Sequence, residues 1–430
     1  MKFTNIGGAT AILEHRGKRM LFDPWLDDGI FHGSWFHWPP AAAEIQDLGR
    51  FDYVYISHIH EDHCSAGTIR HINRDAEIII MDRQPNFVAQ FLKANDFNFD
   101  KVHLVPPRKG MQLSDDLFVD MIEADPANEM AYLVDSSIVI CWDGHVIFNA
   151  NDCQPHAAGV AYLKERYPRI DLALLPYSGG SGYPSCYVNL SDGQKQAEKD
   201  RILKQRTAGF VENTRQIDPR YVLPFADQYV VGGSRSHLNR YVSHGSCPGV
   251  VASQVEQAGL GDRLLLLNSG QTFDLESAAK HPPEPYRMFS EDDRDRYIAD
   301  HLADKPYDHE RVMFARSVPV ERLMQHARQR LWDVQTRRQT FPQWRLVLDC
   351  TDSRRRFVID LQAEGVQETD FEATVPEPFL RMSGSDTLMI MLLMGHVSWN
   401  IADAALFLDY ERRPNTYDPS IYVLLNFLRL

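Results

Sequence analysis

Cysteine is scarce in this chain. Six residues in 430, Cys64, Cys141, Cys153, Cys186, Cys247 and Cys350, form no C-x-x-C pair. That excludes a disulfide-stapled scaffold and a thiolate zinc ribbon, and it fits a reduced compartment. Long apolar runs are missing too. The longest, near Leu388–Met394, falls far short of the roughly 20 residues that span a bilayer. The N-terminal stretch MKFTNIGGATAILEHRGKRMLFDP carries an early charge at His15–Arg16 and no signal-peptide core. A basic surplus is also lacking: 59 acidic against 45 basic residues leave a net charge of −14, which argues against broad nucleic-acid binding. No G-x-G-x-x-G follows a strand and no Walker motif occurs, so a dinucleotide or P-loop fold is not expected. The expectation is a soluble, cytoplasmic protein with a small-molecule substrate and neither membrane nor nucleic acid as partner.

What remains is an ordinary globular balance, 44% apolar and 24% charged, in a chain long enough for two or three domains. Short β-branched and aromatic runs recur at Met20–Phe22, Tyr53–Ile56, Glu77–Met81, Val102–Val105, Phe118–Ile122, Ser137–Cys141, Val146–Asn149 and Leu172–Leu175. Helical patterns fall at Pro85–Asn95, Ala157–Tyr167 and Ser191–Thr214. Many short strands with interspersed helices predict two packed sheets flanked by helices. Composition shifts near residue 281, where HPPEP reads as a linker before the charged run SEDDRD. Residues 1–280 then form a catalytic domain and 281–430 an appended α+β unit. That unit should hold a helix over Val320–Gln335, strands at Arg345–Cys350 and Arg356–Leu361, and a helix near Ser383–Met394. Arg354-Arg355-Arg356 reads as a solvated turn, and Trp25, Trp35, Phe36, His37 and Trp38 as an aromatic cluster packed under a loop.

The chemistry concentrates directly after the Tyr53–Ile56 run, in Ser57-His58-Ile59-His60-Glu61-Asp62-His63. In extended chain His58 and His60 point the same way, and Asp62 and His63 curl toward a second ion. Histidine with carboxylate suits zinc, iron or manganese.

H-x-H-x-D-H behind a strand resembles the metallo-β-lactamase superfamily, which implies a four-layer αββα fold with a dinuclear metal site between two sheets. The resemblance implies Asp152, in Asn151-Asp152-Cys153 after a strand, as a bridging and catalytic ligand beside Asp62. Further stretches are similar to the CMP-N-acetylneuraminate hydroxylase group of that superfamily. They include Leu21–Leu26, Phe31–Trp35, Ser178–Pro184, Pro219–Ala226 and, near the end, Arg413-Pro414-Asn415 with Ser420-Ile421-Tyr422. By that likeness the late histidine ligand is His237, with His244 as the alternative.

Two departures stand out. The paired C-x-H and C-x-x-H motifs of a Rieske iron–sulfur centre do not occur together in these 430 residues, because no C-x-H is present, so electrons would come from a separate reductase or from the substrate. The superfamily's third histidine is also missing. Asp125, before Pro126, stands in its place, with Glu123 and Glu129 as competitors. A carboxylate there favours harder ions such as iron, and a related departure marks the diiron β-hydroxylase of chloramphenicol assembly. The expected metal set is therefore His58, His60, Asp62, His63, Asp125, Asp152 and His237. It would hold two iron ions and use O2 as co-substrate in an oxygenase reaction. A zinc or manganese hydrolase of a phosphoester, lactone or amide is the alternative, and a metal-stabilised binding protein a third reading.

Overall fold

The computed structural model describes residues 1–242, 248–277, 284–312 and 318–430. The linker predicted at 281–285 lies partly outside these residues, as do His244 and Cys247. Two sheets dominate the first part of the chain. One has seven strands in the order Thr272–Asp274, Lys2–Gly7, Thr10–His15, Lys18–Phe22, Tyr53–Tyr55, Glu77–Met81 and Lys101–Val105. Its first strands are joined by tight antiparallel turns, and pairing becomes parallel from Lys18–Phe22 onward. The other has six strands in the order Tyr221–Phe225, Leu172–Pro176, His145–Asn149, Ser136–Trp142, Leu117–Glu123 and Met111–Ser114.

Alternation along these strands decides the layering. Phe3, Leu13, Met20, Phe22 and Tyr55 point inward from one sheet and meet Val119, Met121, Ile138, Ile140 and Leu174 from the other. The opposite faces are apolar as well, so each sheet needs a helical cover. Val54, Ile78 and Ile80 pack under the helix Phe87–Ala94, whose Val88 and Leu92 are buried. Val139, Phe148 and Ala173 pack under Ala157–Arg166 and the long helix Asp192–Ile217. The result is the αββα sandwich expected from the sequence. The long helix starts on a capping box between Ser191 and Gln194, which supplies two of its otherwise orphan N–H groups with acceptors.

A third, five-stranded sheet runs Gln367–Thr369, Arg355–Asp360, Arg345–Cys350, Phe379–Gly384 and Asp409–Arg413, with the helices Val320–Arg338, Asp386–Leu393 and Pro419–Leu425 beside it. Its apolar core does not stop at its own edge. Trp25, Phe31, Trp35, Tyr187 and Tyr229 belong to the same buried cluster as Leu346, Leu392 and Leu424. Ser34 Oγ donates to the Ala405 carbonyl at 3.0 Å and Trp35 Nε1 to that of Ala404 at 3.1 Å. The early aromatic residues are thus core that joins the two parts.

One correction concerns the arginine triplet. Arg355 and Arg356 lie on a strand, and Arg356 is buried in a two-pronged pair with Asp349, both contacts 2.7 Å. The physical reason is the partner: a buried guanidinium is tolerated where a carboxylate matches its fork.

Candidate metal centre

Both sheets deliver loops to one end of the sandwich. The first strand of interest, Tyr53–Tyr55, is parallel to its neighbours, and its C-terminal end opens directly into Ser57–His63. The backbone turns sharply there, with His63 and Cys64 N–H both donating to the His60 carbonyl (2.9 and 2.8 Å). That turn returns His63 toward His58, and their ring centres lie 4.1 Å apart. From the second sheet, His145–Asn149 ends in a turn fixed by the buried Asn151. Its side chain donates to the Ser136 carbonyl at 3.0 Å and accepts the Asp152 N–H at 2.8 Å. The Asn-Asp pair is therefore a turn former, and the turn it makes aims Asp152 across the gap between sheets.

His58, His63 and Asp152 each present a ligand atom within 4.8 Å of the others. His60 Nδ1 sits 2.9 Å from His58 Nε2. His63 Nε2 lies 3.3 Å from carboxylate oxygens of both Asp62 and Asp152. Five of the seven residues expected from the sequence therefore share one site. The other two do not join it. Asp125 accepts the Ala127 N–H at 2.9 Å, so its carboxylate is committed to the turn before Asn128. His237 is exposed, because the short 3₁₀ turn Ser236–Tyr241 buries Leu238, Asn239 and Tyr241 and leaves His237 on the solvent side. The competitors are placed elsewhere as well: Glu123 pairs with Arg108 at 3.0 Å and Glu129 pairs with Arg338.

Other residues escaped the sequence reading. Asp23, fully buried at the end of Lys18–Phe22, accepts from the Ser57 N–H at 2.7 Å and from Ser57 Oγ at 2.9 Å, and contacts His63 Nδ1 at 2.9 Å. Because Ser57 Oγ spends its proton on Asp23, it accepts from His58 Nδ1, 2.9 Å away. One carboxylate thus orients two histidines, anchoring both Nδ1 atoms and turning both Nε2 atoms toward the site. The only sequence signal was the Asp-Pro step after an apolar strand. Asp135 lies at the far end of the segment that carries Asp125, where the helix Glu129–Val134 meets the strand Ser136–Trp142. It shares a cavity wall with His60. Asp227, on the loop after Tyr221–Phe225, is buried where His237 is not.

Electrostatics tie these groups together. Burial, with His63 and His60 beside it, holds His58 well below the usual imidazole range, so it is neutral and able to donate a lone pair. Burial alone would lower His63 too, but the carboxylates of Asp62, Asp152 and Asp23 hold it well above. Burial pushes Asp135 up to about 7, helped by Asp152 and opposed by His63 and Arg83. The Tyr229 hydroxyl is raised by burial and by four carboxylates, Asp227, Asp62, Asp152 and Asp403. Such a concentration of acid groups is costly without cations to offset it. The donors are imidazole nitrogens and carboxylate oxygens. Cys64 and Cys153 are buried nearby with thiols pushed far up, which keeps them protonated. The residues present fit a metal ion that takes imidazole and carboxylate ligands.

The family model described as Beta-lactamase superfamily domain matches residues 2–226, more than half of the chain. The chain belongs to this superfamily. Within it, a Mycobacterium tuberculosis protein named as a Rieske 2Fe-2S iron-sulfur protein is 28% identical over 324 residues, covering 70% of this chain and 60% of that protein. The cytidine monophosphate-N-acetylneuraminic acid hydroxylase of Danio rerio is 24% identical over 315 residues, 67% of this chain and 50% of that enzyme. The chain thus spans about half to three-fifths of the length of these curated relatives. Among solved structures, CmlA, a diiron beta-hydroxylase from Streptomyces venezuelae, matches with a TM-score of 0.45 at 16% identity, over 63% of this chain and 53% of that one. No helix among the described residues is long and apolar enough to cross a membrane.

Proposed function

We propose that this superfamily member is a non-haem dinuclear-iron oxygenase that hydroxylates or oxidatively rearranges a small molecule. The observation that carries the reading is the mixing of carboxylates with imidazoles at the sheet ends: Asp62 and Asp152 contact His63, His58 and His60 adjoin it, and the charges of Asp135 and Asp227 act on the same neighbourhood. A carboxylate-rich N/O donor set favours iron over zinc. The relatives named as hydroxylases support the reaction class. Bound iron would supply the reductive activation of O2.

The chain's own residues do the rest. His58, His60 and Asp62 with His63 and Asp152 would hold the ions, Asp152 coming from the opposite sheet. Asp23 and Ser57 keep the imidazoles oriented. Asp135 takes over the role expected of Asp125, and Asp227 that expected of His237, because these are the carboxylates the fold holds inside. Electrons would come from a separate reductase or from the substrate.

The test is metal content and oxygen uptake of the full chain produced with iron supplied. Two irons per chain and reductant-dependent O2 consumption, both lost in His58→Ala, are expected. Two zincs, no O2 uptake and turnover of a phosphodiester or lactone would replace this reading by the hydrolase one.

A further inference from the structure

The metal centre opens into a cleft whose other wall comes from the C-terminal part of the chain. A cavity of about 290 Å³ begins at His60 and Asp135 and runs along Asn400, Asp403, Tyr417 and Tyr422. The same four residues also line a larger chamber, about 620 Å³, that extends to Gly179, Arg201, Arg206 and Arg412. Together they have the dimensions of a small-molecule site, with a metal-side end and a basic end.

The decisive residue at the basic end is Arg412. It is 4% exposed, and among the described residues no carboxylate oxygen lies within 4.0 Å of it. Its Nε and Nη2 donate to Asn415 Oδ1 at 3.3 and 2.8 Å, and Nη1 to the Tyr422 hydroxyl at 2.9 Å. A guanidinium has five N–H groups, so one remains on each terminal nitrogen. The plane sits over the rings of Tyr183 and Tyr187, 5.1 and 5.2 Å from their centres. Nearby acids are already committed. Glu198 pairs with Arg201 at 2.8 Å and accepts from the Tyr183 hydroxyl at 3.0 Å. Asp403 accepts from Ser181 Oγ at 3.1 Å, and burial raises its pKa.

Two other buried arginines show what a structural role looks like. Arg356 is also 4% exposed but is matched by Asp349. Arg328, 1% exposed, turns its donors to Gln335 and to the carbonyls of Asp360 and Ala363, and lines neither chamber. Arg356 borders a separate cavity of about 380 Å³, but with its fork filled by Asp349; Arg412 alone of the three borders a cavity with no carboxylate on its guanidinium among the described residues. On the wall of the same chamber, Arg206 makes no hydrogen bond or ion pair among the described residues. It lies so close over Gly179 that a Cβ there would come within 3.1 Å of Nη2. A buried guanidinium lining a cavity without a carboxylate partner, with a second one lining the same cavity, is a charge arrangement that an anion completes.

We infer that Arg412 and Arg206 form an anion subsite that grips a carboxylate or phosphate group of the substrate, while the reacting part of that molecule lies at the His60 end. Asn415 and Tyr422 position Arg412, and the faces of Tyr417 and Tyr422 border the passage between the two ends. This inference rests on the cleft being the substrate pocket of the proposed oxygenase, but the subsite itself needs no metal.

The test is calorimetric titration of inorganic phosphate and of acetate into the metal-free full chain. Wild type should bind at least one of the two, and the stronger one identifies the group the subsite takes. Arg412→Gln and Arg206→Gln should each weaken that binding about tenfold, whereas Arg74→Gln, an exposed arginine lining neither chamber, should leave it unchanged. Arg206 is exposed, so its variant carries the test even if the buried Arg412→Gln fails to fold. Equal binding by wild type and Arg206→Gln, or no binding of either anion, overturns the subsite. His58→Ala should still bind the anion, so failure of the metal reading and failure of this one are separable.

Discussion

The two ends of the cleft are built in opposite ways. The proposed metal end draws four of its candidate donors from six consecutive residues, His58 to His63, and the rest, Asp152 among them, from other loops. The basic end gathers Gly179, Arg206, Arg412 and Tyr422 from separate elements of the chain. The metal end carries an excess of negative charge and the other an excess of positive. A short loop can concentrate donors around an ion because an ion needs close, converging atoms. A substrate has length, and holding its far end requires a second body of protein. The C-terminal sheet provides that body through the strand Asp409–Arg413 and the loop after it.

Breaking the metal end should have the largest effect. His58→Ala and Asp152→Ala each remove a donor that nothing nearby replaces, and metal content by elemental analysis should fall to background in both. Asp23→Asn touches no ion directly, yet it removes the acceptor that orients His63 and, through Ser57, His58. Metal affinity measured against a competing chelator should drop about 10- to 100-fold while the fold persists. A smaller, pH-dependent effect belongs to Asp135. Its folded pKa of about 7 lies above the unfolded value of 3.8, so the native state holds the extra proton between those two values. The stability of the metal-free chain should therefore fall as pH rises from about 4 to 7, by a few kcal/mol at most. Asp135→Asn should flatten that slope and raise the melting temperature more at pH 8 than at pH 5. An unchanged slope in the variant would remove Asp135 from the charge cluster.

These contrasts also explain what could be read in advance. The strand runs at Glu77–Met81 and Arg345–Cys350 appear in the fold with the same bounds, because period and β-branching act locally. His58, His60, Asp62 and His63 were legible because their spacing alone brings them together, and Asp152 because the resemblance to the superfamily asks for an aspartate just after a strand and Asn151-Asp152 stands there. The missing histidine was the harder problem. The segment between Leu117–Glu123 and Ser136–Trp142 offers several acids, and which one turns inward depends on where a one-and-a-half-turn helix ends. That helix carries the chain from the turn at Asp125 to Asp135 beside Arg83, whose guanidinium donates to the Tyr132 and Asp135 carbonyls. Likewise, Leu238 and Asn239 outcompete His237 for the interior, since Asn239 exchanges hydrogen bonds with both the N–H and the carbonyl of Val231 (3.0 and 2.7 Å). The Arg412 subsite is invisible in one dimension, because only the fold brings Arg206 and Arg412, far apart in the chain, to one chamber.

The apolar cluster that unites Trp25, Trp35 and Tyr229 with Leu346, Leu392 and Leu424 has a consequence for how the molecule comes apart. Two bodies that share a core cannot melt independently, since unfolding either one strips the other of its cover. Heating should therefore yield a single calorimetric transition, with a measured enthalpy matching the van't Hoff value. A chain cut near residue 280 would expose indole and leucine surface and should aggregate.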